Sequence, residues 1–183
     1  AFHMLYHVPD PGRAITELPP LLEAVSEFAS RAAEKLRKQG SLASQLLVFA
    51  HTSPFRPGPR FNKSVVVPLR RPTADTGKLV WAAAMGMRRM YEPGYKMAKA
   101  GVMLLDLVLG NVLQAELDLE EEDQRDRTKL MVALDTLNGR YGKGTVHSAS
   151  TGGSSKVKDW GMKQERRTPQ YTTRWEDVPI ARA

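Results

Sequence analysis

Leu21, Val25, Phe28, Ala32 and Leu36 recur every three or four residues, the spacing that gathers side chains onto one face of an α-helix. Glu23, Glu27, Arg31, Lys35 and Lys38 fall mostly elsewhere around the same barrel. Pro19 and Pro20 suit only a first helical turn, where a missing N–H costs nothing, and Gly40 marks the C-terminal end. A helix with one apolar stripe needs a second layer to cover it. The next sixty residues supply that layer, at roughly the strand lengths a small sheet needs. Residues 41–53 (SLASQLLVFAHTS) and 62–71 (NKSVVVPLRR) are rich in strand formers, and the Pro/Gly stretch PFRPGPRF joins them. Pro68 points to an edge strand or a bulge. Asp75 or Thr76 then caps a second helix, in which Val80, Ala84, Met87 and Tyr91 share a face, and a last strand runs over 95–107. The order helix, strand, strand, helix, strand, with a short strand over MLYHV before it, predicts an α+β fold. Two helices cover one face of a small antiparallel sheet and leave the other face open to a partner.

Charge narrows the class of partner. The 183 residues carry a net charge of +7 and a pI near 9.8, which points either to a polyanion, most simply nucleic acid, or equally to a generally soluble basic surface. The charge is concentrated: residues 53–100 hold ten bases and two acids. Of these, Arg56, Arg60, Lys63, Arg70, Lys96 and Lys99 are the candidate phosphate contacts, whereas Lys78, Arg88 and Arg89 are read as solubilising the second helix. Residues 114–126 are the opposite, seven acids against Arg125, a pattern open to three readings: a solvated linker, one turn of a helix, or a peptide that another protein reads. Hydrophobic content of 42% is enough for a packed core. No apolar run approaches the length of a membrane span. Zero cysteines leave no disulfide or thiolate metal site, and the four histidines lack ligand spacing.

Beyond the acidic stretch, RTKLMVALDTLNGRYG places Leu130, Leu134 and Leu137 on one helical face, KGTVHSAS reads as a strand, and TGGSS as a loop. The loop NGRYGKGT lacks the spacing of a phosphate-binding P-loop, since Lys143 is followed by Gly144 and a helix precedes it. Trp160, Tyr171 and Trp175 are read as the core of a small C-terminal unit, with base stacking as the alternative. No carboxylate cluster able to hold two metal ions and no paired nucleophile and base emerges, so neither a catalytic residue nor a cofactor is assigned.

The segments AVSEFASRAAEKLRKQGSLASQLLVFAHTSPFR, YKMAKAGVMLLDL, LMVALDTLNGRYGKGTV and WGMKQERRTPQYTTRWEDVP together resemble the C-terminal region of the UmuC-type, Y-family lesion-bypass DNA polymerases (polymerase V). The resemblance implies a little finger domain over 12–107 that lies on template–primer DNA, an acidic linker over 108–126, and a UmuC-type C-terminal domain over 127–183. The family's usual first strand is replaced by MLYHVPDPG; residues 1–11 are expected to be divergent, with AFHM resembling a cloning remnant. Gln114, Leu117 and Leu119 resemble the bacterial sliding-clamp peptide, in which Gln bonds a pocket rim and two apolar residues fill a cleft. The resemblance further implies a non-catalytic part of a bacterial cytoplasmic enzyme active in the SOS DNA-damage response, with the UmuD′ dimer and RecA filament as regulatory partners. A stand-alone basic RNA-binding module is the alternative.

Overall fold

A computed structural model of the chain describes residues 2–4 (backbone), 14–110, 127–152, 160, 173, 174 and 176. Its elements are β1 (Phe2–Met4), α1 (Leu18–Lys38), β2 (Ser41–Thr52), β3 (Asn62–Thr73), α2 (Thr76–Met90), β4 (Met97–Leu109) and α3 (Thr128–Tyr141), followed by a 3-10 turn over Ala149–Thr151. The strands form one antiparallel sheet in the order β1-β4-β2-β3. The expected helix–strand–strand–helix–strand order is the observed one. The short first strand lies over Phe2–Met4, pairing with Val102–Leu104, rather than over MLYHV, of which residues 5–8 lie outside the described set.

The five stripe residues of α1 are all buried. They meet Leu79, Val80, Met87 and Met90 of α2 and the inward rows of the sheet, Leu46, Val48 and Ala50 of β2 with Val102 and Leu104 of β4. Fully burying a Val, Leu, Met or Phe side chain contributes roughly 1.5–3 kcal/mol. Gly86 lets α2 settle on the sheet, because a Cβ there would sit 2.7 Å from Val48 Cγ2. The helix ends follow local chemistry. Asp75 Oδ1 accepts from the Lys78 amide at 2.9 Å, an N-cap bond, and Gly40 takes φ +70° as α1 closes. Pro68 sits on the edge strand β3 beside the register shift at Ala43/Gln45.

The C-terminal residues depart most from expectation. KGTVHSAS forms no strand. The Asn138 side chain takes both backbone groups of Val146, Oδ1 accepting from N and Nδ2 donating to O, each at 2.9 Å. One amide side chain thus supplies the pairing a neighbouring strand would have given. In α3 the buried residue is Met131, while Leu130 and Leu137 of the expected core stripe are exposed. Trp160 is buried with its ring edge-on to Phe28 of α1, centroids 5.5 Å apart; Tyr171 and Trp175 lie outside the described residues.

Candidate nucleic-acid interface

Both helices pack on one side of the sheet, so the outward row of each strand is left on the other. The register puts Leu47 opposite Val66 on one side and Met103 on the other, and Phe49 opposite Ser64 and Gly101. Gln45 faces Pro68 and Leu105, and His51 faces Asn62 and Lys99. The centre of the open face is therefore apolar: Leu47, Phe49, Met103 and Leu105 are half-buried and Val66 is exposed. The far end of the Phe49 ring lies against the bare backbone of Gly101, where a Cβ would come within 2.6 Å of Phe49 Cζ. His51 continues the platform, nearly parallel to Phe49 with centroids 6.5 Å apart.

The six candidate bases distribute around this platform. By strand alternation Arg70 of β3 and Lys99 of β4 belong to the open face. Arg56 and Arg60 occupy the β2–β3 loop, and Lys96 the connection entering β4. Lys63 stands apart. It pairs across the sheet with buried Ala50, on the helix side, and its ammonium forms an ion pair with Glu92 and lies 5.5 Å from the Phe61 ring centroid. Charge counting alone suggests a uniformly basic face; the chain builds an apolar platform with bases at its margins, because the strand formers that make β2 and β4 pair also supply their outward rows.

The helix side carries a second arrangement that sequence reasoning misses. Arg37, in the last turn of α1, reaches α3, where its Nε and Nη2 meet both carboxylate oxygens of Asp135 at 2.7 and 2.6 Å. Its Nη1 also donates to Ala74 O at 2.8 Å and Thr76 Oγ1 at 2.9 Å. Arg127 approaches Asp75 at 3.7 Å. Met131 fills the seat between these pairs, its sulfur accepting from the Thr76 amide. One signal is present in the sequence: Asp135 is the single acid in residues 127–152. On the same layer Lys38 is held above its ordinary pKa by its hydrogen bond to Glu34.

Gln114, Leu117 and Leu119 lie outside the described residues. Among the described residues no group of His, Asp or Glu could hold a metal ion, and no helix is long and apolar enough to cross a membrane.

Residues 12–119 match the impB/mucB/samB family C-terminal domain, a span that begins ahead of α1 and takes in the sheet strands β2–β4 and both helices on them. The chain belongs to this family. Residues 128–181, from the first residue of α3 onward, match a second model, a domain of unknown function (DUF4113). Among curated proteins, the family member Protein ImpB of Salmonella typhimurium is 37% identical over 172 residues, 93% of this chain and 40% of the relative. Protein UmuC of Salmonella typhimurium strain LT2 is 36% identical over 168 residues, 91% of this chain and 39% of the relative. Protein MucB of Escherichia coli is 32% identical over 173 residues, 93% and 39%. The chain thus spans about two fifths of the length of the family members it matches, and it corresponds to the UmuC-family C-terminal region.

Proposed function

We propose that this chain is the non-catalytic, DNA-gripping and partner-docking part of a cytoplasmic lesion-bypass polymerase. The observation that carries the reading is the sheet face left open by α1 and α2, an apolar platform of Leu47, Phe49, Val66 and Met103 with Arg70 and Lys99 on the same side. Bases at the margin neutralise phosphates and fix register on the duplex without reading sequence. An apolar centre offers the base edges few donors or acceptors, so it tolerates any sequence beneath it. A polymerase that copies damaged template of arbitrary sequence needs that indifference.

The acidic residues 114–126 serve as a tether whose front end, Gln114, Leu117 and Leu119, anchors to the sliding clamp. Residues from 127 onward dock regulatory partners, which by family resemblance include the UmuD′ dimer and the RecA filament. Nucleotide and metal chemistry belongs to other parts of the family's longer chains.

The experiment that tests this reading is a binding titration on primer–template DNA and on a structured RNA hairpin over a range of salt. Weak DNA binding that falls steeply with salt supports it. Clear preference for the hairpin favours the RNA-binding alternative instead.

A further inference from the structure

The outer face of α2 carries a feature that the DNA reading leaves unused. Trp81 is 62% exposed and Met85 44% exposed, one turn apart on a helix that is otherwise well covered. Lys78 stands one turn before Trp81, and Arg88 and Arg89 one turn after Met85; all three are exposed. The sequence of α2 contains no acid. From Lys78 to Arg89 the face runs about 16 Å at 1.5 Å per residue.

At its N-terminal end this face opens into a cleft of about 620 Å³ between α2, α3 and the end of β3. Arg71, Lys78 and Arg127 line it together with Met131 and Val132, and Val132 is 59% exposed. Of the nearby acids, Asp135 is held by Arg37, and Asp75 caps α2 through Oδ1 while its buried Oδ2, without a hydrogen-bond partner, lies 3.7 Å from Arg127 Nε. Along one line the surface therefore reads cationic cleft, apolar centre, cationic end.

We infer that the outer face of α2 and the cleft at its start form a docking surface for an acidic, amphipathic segment of another protein. An apolar anchor in that segment covers Trp81 and Met85, and carboxylates at its two ends meet Lys78 with Arg127 and Arg88 with Arg89. Exposed tryptophan flanked by arginine is the composition of interface hot spots, and a helix laid against an apolar strip with charged ends is a recurrent mode of peptide recognition. The charge pattern distinguishes protein from nucleic acid. Phosphates recur at every nucleotide, so a strand laid along this face would set charge over Trp81 and Met85. The surface lies on the helix side, opposite the open sheet face, so both sites can be filled at once and the inference does not depend on the DNA reading.

The test uses the full chain and a fluorescein-labelled synthetic helical peptide with Leu and Phe at its centre and Glu at both ends. Its controls are the same peptide with Lys at the ends, an oligo-thymidine single strand, and sedimentation of the chain alone. The Glu-ended peptide is expected to bind and its Lys-ended counterpart not to. Trp81→Ala should weaken binding by about tenfold or more, and so should Arg88→Glu with Arg89→Glu, with the far-UV circular dichroism of both variants unchanged. Equal binding of the two peptides, or no loss in either variant, overturns the inference. Tighter binding of oligo-thymidine that depends on Trp81 would reassign the face to nucleic acid. A concentration-dependent dimer abolished by Trp81→Ala would reassign it to a second copy of the chain.

Discussion

Arg37 of α1 and Asp135 of α3 form a two-pronged ion pair, with both guanidinium–carboxylate contacts at 2.6–2.7 Å. Ninety-eight residues separate them in the chain. Their side chains are largely buried, at 13% and 24% exposure, so the pair holds α3 against the domain, with Met131 as the buried apolar residue of α3 beside it. Planar, bidentate geometry of this kind belongs to the strong class of charge-assisted bonds.

Asp135→Ala should therefore free α3 while leaving the sheet and its two helices folded. A loss of about 1.5–3 kcal/mol from the docking equilibrium is expected, visible as rapid proteolysis after residue 127 with an intact core fragment. Arg37→Ala should cost more, since it also leaves Ala74 O and Thr76 Oγ1 without their donor. Equal sensitivity of the two variants would mean that the bonds to the β3–α2 connection contribute nothing.

Gly101 and Phe49 make a second sharp relationship. Gly101→Ala puts a methyl group where the Phe49 ring now lies, so the ring must leave the platform. A destabilisation of about 1–3 kcal/mol is expected from forcing this repacking, measured by urea denaturation. In a Phe49→Ala background the same change should cost far less, a non-additivity that identifies direct contact.

The bases separate by position. Lys99→Ala and Arg70→Ala should each weaken duplex binding and reduce the salt slope by about one phosphate's worth. Lys63→Ala should have a smaller effect, because its charge faces the helix side and is already paired with Glu92. A salt-dependence series on the three variants distinguishes them.

Gln114→Ala combined with Leu117→Ala should abolish retention of the chain on immobilised sliding clamp and leave duplex binding unchanged. Full retention would make the Gln/Leu spacing a coincidence of a polar linker.

Much of the domain is legible in the sequence because its signals are local. The α1 stripe, the Asp75 cap, the Gly40 exit and the edge position of Pro68 each depend on a few adjacent residues and the backbone geometry they favour. The inward face of α2 is less legible: Ala84 is half-buried and Leu79 is wholly buried, because its stripe is short and Ala-rich and gives periodicity little contrast. The C-terminal residues defeat periodicity for another reason. Leu130 and Leu137 are exposed while Met131 is buried with its sulfur on the Thr76 amide, and Asp135 is held by Arg37; Thr76 and Arg37 lie far away in sequence, and periodicity carries no information about them. Likewise the bases of residues 53–100 can be counted from the sequence, but their side of the sheet depends on register. The register sets Lys63 opposite Ala50 on the helix side and Lys99 opposite His51 on the open face.

Duplex DNA should meet the sheet face and not the helix layer. A photo-crosslinking side chain placed at Val66 or at Trp81, irradiated on labelled primer–template DNA at low salt, separates the two surfaces. A strong DNA crosslink is expected from position 66 and none above background from position 81. Crosslinking from position 81 with silence at position 66 would place the duplex on the wrong side of the sheet and end the reading of the open face as its seat.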